Sequence, residues 1–147
     1  MRVEVVPAGP DQAASVAPRL AEFNRVAILG LGYMSTEEAL RFSLQHSPDA
    51  WAILLDGRPE VLGGFAQFGG EPQAWLATTD EAYRVRFTMH REVKRALARH
   101  VGETVQAVVH AIDREARAWL EALGFEEQDL VFSAANGAPF YVAQRRA

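Results

Sequence analysis

The 147-residue sequence predicts an α/β (α+β) fold, with a mixed, mainly antiparallel sheet of six to seven strands flanked by about four helices. Three observations carry this expectation. Residues 51–79 fall into short β-rich runs separated by Asp56-Gly57 and by Gly69-Gly70-Glu71-Pro72, the pattern of an antiparallel meander. Residues 104–125, TVQAVVHAIDREARAWLEALGF, pass from an apolar run into a segment with Ala116, Trp119, Leu120 and Leu123 at helical spacing, closed by Gly124 and Phe125. The last third ends in two further β-rich runs joined at Asn136-Gly137, a hairpin signal.

In chain order, residues 2–7 form a first strand, and Gly9-Pro10-Asp11 turns into a helix reaching about Asn24. Pro18 removes a helical hydrogen bond, so two short pieces or a late start near Ala17 are expected. Gly30-Leu31-Gly32-Tyr33 lacks the strand-to-helix setting of a nucleotide loop and reads as a turn between the first two helices. Ser35-Thr36-Glu37-Glu38 is a capping-box pattern for a second helix, which ends at His46-Ser47-Pro48 because the residue before proline is pushed out of the helical region. Strands at 51–55, 61–68 and 74–79 follow. Asp80 then caps a long helix at about 81–100, its apolar face made of Val85, Met89, Val93, Ala96, Leu97 and Val101 and its other side of Arg84, Arg91, Arg95 and Arg99. A strand at 104–110, a helix opened by Asp113 and stopped by Gly124, and two strands within 126–147 complete one domain, residues 1–147.

Composition excludes several classes of function. A chain of about 150 residues buries roughly 70% of its unfolded surface and needs no staple. Without cysteine there is no disulfide, thiolate zinc site or cysteine nucleophile. The four histidines are scattered, so no metal site is expected. A formal charge of −4 and a pI near 5.6 give no general attraction for nucleic acid, and no run is long and apolar enough for a signal peptide or a membrane span. The expectation is an unexported protein with no membrane or specific nucleic-acid partner.

The segment from Asp113 to Phe125 resembles the end of the GCN5-related N-acetyltransferase (GNAT) superfamily, whose form is N-x-x-A-x-x-x-Y-x-x-x-G-F. Asp113, Ala116, Leu120, Gly124 and Phe125 occupy those places. Strand, two helices, three strands, helix, strand, helix and two strands is also that superfamily's order of elements. The resemblance implies an acyl-CoA site where the middle strands splay, with the pyrophosphate at the start of the long helix. It also implies a tyrosine acid at position 120, where this chain has leucine. The superfamily's phosphate loop, R/Q-x-x-G-x-G/A, falls on residues 82–89, and Val85, Phe87 and Met89 stand where small residues belong. On this alignment three side chains fill the phosphate cradle, and a left-handed dihedral there costs a non-glycine residue about 1–2 kcal/mol.

The candidate site residues follow. His110 ends the fifth strand with an unperturbed pKa suited to acid–base work, and its plainer reading is a packed strand end. Asp113 either positions a ligand or only caps the helix. A donor, if one binds, meets Thr78, Thr79, Arg84, Val85, Arg86, Phe87 and Thr88; Thr79 and Asp80 read equally as a strand end and a cap. Trp51, Trp75 and Trp119 are assigned to the core.

A narrower resemblance joins Trp75-Leu76-Ala77-Thr78-Thr79-Asp80, the glycine-free helix and Trp119-Leu120-Glu121-Ala122-Leu123-Gly124-Phe125 to the acetyltransferase-like and internal virion proteins of short-tailed bacteriophages. It implies a place in the virion or host cytoplasm, other phage structural proteins as partners, and no cofactor. Two readings result. The first is a catalytically degenerate module for virion structure or assembly, favoured by the filled cradle and Leu120. The alternative is an acyl-CoA-dependent N-acyltransferase using acetyl-CoA in an atypical donor site.

Overall fold

The computed structural model describes residues 1–30, 32 and 35–146. Its seven strands are β1 (Val3–Pro7), β2 (Trp51–Leu55), β3 (Arg58–Ala66), β4 (Gln73–Thr78), β5 (Thr104–His110), β6 (Glu126–Phe132) and β7 (Pro139–Arg146). They form one sheet in the order β1-β2-β3-β4-β5-β7-β6. Every neighbouring pair is antiparallel except β4 and β5. Five α-helices accompany the sheet: α1 (Pro10–Val16), α2 (Glu22–Gly30), α3 (Thr36–Gln45), α4 (Arg86–Ala98) and α5 (Arg114–Ala122).

Local chemistry explains most boundaries. Pro18 divides the first helical region as expected, leaving α1, a 3-10 turn at Ala17–Arg19 and then α2, which runs on to Gly30. Ser35 Oγ accepts from the Glu38 N–H and caps α3. Asp56 and Gly57 take φ of 50° and 84°, the two left-handed positions of a tight hairpin turn joining β2 to β3. Asp113 Oδ1 accepts from the Ala116 N–H at 3.2 Å, and Gly124, at φ 96°, lets the chain leave α5. The Gly30-to-Tyr33 turn expected from sequence includes Leu31 and Tyr33, which lie outside the described residues.

Three expectations change. The long helix does not start at Glu81 under an Asp80 cap; a 3-10 turn at Ala82–Val85 comes first, and α4 begins at Arg86 without a side-chain cap. Val101 lies beyond the helix end and is 77% exposed, so it leaves the predicted apolar face. The β6–β7 connection is a six-residue loop rather than a two-residue turn, closed by the Ser133 N–H bonding to the Ala138 carbonyl.

Two faces of the sheet are packed differently. On one, Ala13, Val16 and Ala17 of the α1 region and Leu40 of α3 cover Ala52, Leu62 and Ala77. On the other, Val85, Met89 and Val93 cover Trp51, Ile53, Leu55 and Val61. Farther along that second face, Val93, Leu97, Trp119, Leu120 and Leu123 cover Ala74, Val105, Ala107 and Ala143. Burial of this kind contributes about 25 cal/mol per Å² of apolar surface. Among the described residues, no helix is long and apolar enough to cross a membrane.

Candidate functional site: an open seam between β4 and β5

The parallel pairing of β4 with β5 lasts only two residues, Gln73 with Gln106 and Ala74 with Ala107. Beyond Ala74 the strands diverge toward their C-terminal ends, where α4 and α5 start. The mouth of a V therefore opens between them.

Hydrogen-bond alternation fixes what the β4 side of the V presents. The Thr79 N–H bonds to the Glu60 carbonyl at 3.0 Å, which identifies Thr79 and Glu60 as a hydrogen-bonded pair. Such pairs alternate along an antiparallel ladder. With Thr78 opposite Val61 and Leu76 opposite Gly63, the main-chain groups of Ala74, Leu76 and Thr78 point to the β5 edge. The bond from the Gln106 N–H to the Pro72 carbonyl has the same parity. At the mouth, the Thr78 N–H is taken by Asn24 Oδ1 (3.2 Å) and its carbonyl by the Ala21 N–H (2.9 Å), while Asn24 Nδ2 donates to Thr78 Oγ1 (3.0 Å). Between this tether and the vertex, the Leu76 N–H and C=O have no partner among the described residues. An unpaired donor and acceptor on a strand edge accept an extended, amide-bearing chain as a further strand.

The start of α4 is not the filled cradle expected from sequence. Val85 is 2% exposed and, with Met89, packs into the core under the helix, so neither side chain stands in the V. Phe87 turns outward at 78% exposure, with the Arg86 guanidinium 4.7 Å from its ring centroid. Among the described non-glycine residues only Asp56 has a positive φ, so the 3-10 turn replaces the glycine loop without left-handed strain. Arg84 pairs with Glu81 at 3.2 Å, and Arg86 donates to the Tyr83 carbonyl at 2.9 Å. Both are exposed at the mouth, close to Thr88 in the first turn of α4.

The other predicted residues separate. Thr79 faces away from the V, donating its hydroxyl to Glu60 Oε2 at 2.8 Å. His110 is 7% exposed, its ring 5.2 Å from that of Phe23 and 5.3 Å from that of Phe140, and its Nδ1 accepts from the Ile112 N–H at 3.3 Å; it is a packed strand end. Asp113 is the cap of α5. Leu120 packs beside the vertex.

Two polar groups escaped the sequence reading. Glu60, 1% exposed, is held by Arg19 Nη1 (2.7 Å), Arg58 Nε (2.9 Å) and Thr79 Oγ1. Burial raises its pKa, but the bonds from Thr79, Arg58 and Arg19 and the Arg19 charge bring it below the ordinary carboxylate value. Trp119 also differs from its plain core assignment, because its indole N–H donates to His90 Nδ1 at 2.8 Å and joins α5 to α4. The signals available were a lone Glu inside a β-rich run and an indole whose N–H needs a partner when buried. Among the described residues no group of three or more His, Asp or Glu side chains is placed to hold a metal ion.

The fold is that of the GNAT acetyltransferases. The chain is similar to a phosphinothricin acetyltransferase of the GNAT superfamily from Sinorhizobium meliloti, solved in complex with AcCoA, at 21% identity over 99% of this chain and 88% of that one (TM-score 0.67). It is similar to the ribosomal-protein-S18-alanine N-acetyltransferase from Escherichia coli at 14% identity over 98% and 93% (TM-score 0.69). It also matches a PaiA N-acetyltransferase from Thermoplasma acidophilum, solved with coenzyme A, at 11% identity over the full length of both chains (TM-score 0.67). No protein-family model and no curated protein sequence matches the chain.

Proposed function

We propose that this protein is an acyl-CoA-dependent N-acyltransferase whose donor lies in the V between β4 and β5. The observation that carries this reading is the unpaired main chain of Leu76 on the open edge of β4. The thioester arm of an acyl-CoA is an extended chain of amides, and such a chain satisfies an edge N–H and C=O together. At the mouth, the Arg86 N–H is already bonded to the Tyr83 carbonyl, and the N-terminal end of α4 beyond it, with the Arg84 and Arg86 guanidiniums, suits a diphosphate. A thioester supplies an activated acyl carbon. The chain's part is to align it and place the Leu76 N–H where negative charge gathers on the carbonyl oxygen.

The other reading, a phage virion or assembly module, rests on the phage resemblance, a cradle filled by Val85, Phe87 and Met89, and Leu120. Val85 and Met89 pack in the core, which weakens the cradle argument and leaves Phe87 and Leu120 in it. Leu120 still removes the expected acid, without closing the site.

The test is thermal unfolding with and without acetyl-CoA, followed by thiol release on addition of primary amines. Donor at a hundred times its dissociation constant adds about 2.7 kcal/mol to stability. No stabilisation at millimolar donor, together with no thiol release across an amine panel, overturns the proposal.

A further inference from the structure

Resting on the acyltransferase reading, we infer that His90 is a catalytic hydrogen-bond donor to the departing sulfur, held in the required tautomer by Trp119, and that this pair stabilises the thiolate that Leu120 cannot protonate. An indole N–H can only donate, so its 2.8 Å bond to His90 Nδ1 fixes that nitrogen as the acceptor. The ring proton is then on Nε2. That nitrogen has no partner among the described residues.

Position supports the role. Ala74 and Ala107 are the last paired residues before the V opens, and they share one apolar cluster with Val93 and Trp119. His90 precedes Val93 by three residues, about 4.5 Å toward the mouth. Leu76 lies two residues beyond Ala74 on β4, about 6.6 Å in the same direction. Both residues therefore lie on the mouth side of that cluster, His90 in the helix layer and Leu76 on the strand edge. A neutral imidazole donating an N–H stabilises developing negative charge without carrying charge itself.

In the step, the amine nitrogen forms a bond to the acyl carbon and the carbon–sulfur bond breaks. The amine proton leaves to water. The thiolate is stabilised by the Nε2 N–H and takes its proton from solvent, and His90 ends unchanged.

The experiment compares the parent with His90→Leu, His90→Gln and Trp119→Phe. It measures kcat, KM for acetyl-CoA, stabilisation by coenzyme A, and the imidazole nitrogen NMR signals of His90. Nε2–H is expected as the tautomer in the parent, and the preference should be lost in Trp119→Phe. His90→Leu should lower kcat about a hundredfold or more, with KM and coenzyme A stabilisation nearly unchanged. His90→Gln, which keeps an N–H donor, should recover about tenfold of that loss, a rescue that a purely structural role does not give. A His90→Leu variant with kcat within about threefold of the parent overturns the inference alone, as does an Nδ1–H tautomer. A parent that neither binds coenzyme A nor releases thiol overturns the acyltransferase reading and this inference with it.

Discussion

The two edges of β4 make opposite uses of the same strand. Toward β3 the ladder runs for six register pairs and is extended by the Thr79–Glu60 pair, where a buried carboxylate meets two guanidiniums and a hydroxyl. Toward β5 it stops after two pairs, leaving the Leu76 main chain without a partner among the described residues. Polar groups that are all satisfied hold a structure in one arrangement, whereas those left with spare hydrogen-bonding capacity are available to a ligand. The comparison assigns stability to the closed edge and chemistry to the open one, and substitutions on either side test that division.

The largest effect on stability should come from Glu60→Ala. It leaves the partly buried Arg19 and the Thr79 hydroxyl without their carboxylate, and breaking a buried pair in this way costs about 3–5 kcal/mol, measured by urea unfolding. Because the folded protein lowers the pKa of Glu60, its contribution is present above the unfolded carboxylate value and is lost as pH falls through the folded one. Glu60→Gln should therefore flatten the acid limb of the stability profile. An unchanged limb would remove Glu60 from the closed edge's account.

Gly63→Ala comes next. A Cβ at Gly63 would sit 2.6 Å from Trp51 Cζ2 and 3.1 Å from Leu76 Cδ1, and Trp51 is buried. Overpacking of this kind costs about 1–3 kcal/mol. Because Leu76 is one of the neighbours that must shift, this substitution should also weaken stabilisation by coenzyme A. Stability loss with donor binding intact would mean that the two edges are less coupled than the shared strand suggests.

Legibility in the sequence follows the same divide. The tight Asp56-Gly57 turn, the Ser35 and Asp113 caps, the break at Pro18 and the stop at Gly124 are each set by a few neighbouring residues, and each is where the sequence places it. The seam is different, because it depends on where two strands distant in sequence cease to pair. The β-rich pattern starts the third strand at Val61 and leaves Glu60 in the turn, where a charge needs no partner; the start at Arg58 puts it inside the sheet. At the start of α4, the first turn of helix expected from sequence is a 3-10 turn at Ala82–Val85, and Val85 packs in the core, as the helical apolar pattern requires, rather than in the cradle that the GNAT resemblance implied. The Trp119–His90 bond links α5 to α4 across 29 residues, and periodicity within either helix does not reveal it.

The smallest effect should be that of Asn24→Ala, on the open edge at the mouth. Its carboxamide ties α2 to Thr78 through two hydrogen bonds, one to the backbone N–H and one to the hydroxyl, while the Ala21 N–H independently holds the Thr78 carbonyl. With one tether remaining and the site only partly buried, removal should cost about 1 kcal/mol, since water can replace much of what is lost. The local change should be larger than the global one: the Thr78 amide, freed from Asn24, should exchange with solvent markedly faster in hydrogen-exchange measurements while amides of β3 stay protected. If Asn24→Ala instead destabilises the chain as much as Glu60→Ala does, the mouth of the V is part of the closed framework, and the division between a structural edge and a chemical edge does not hold there.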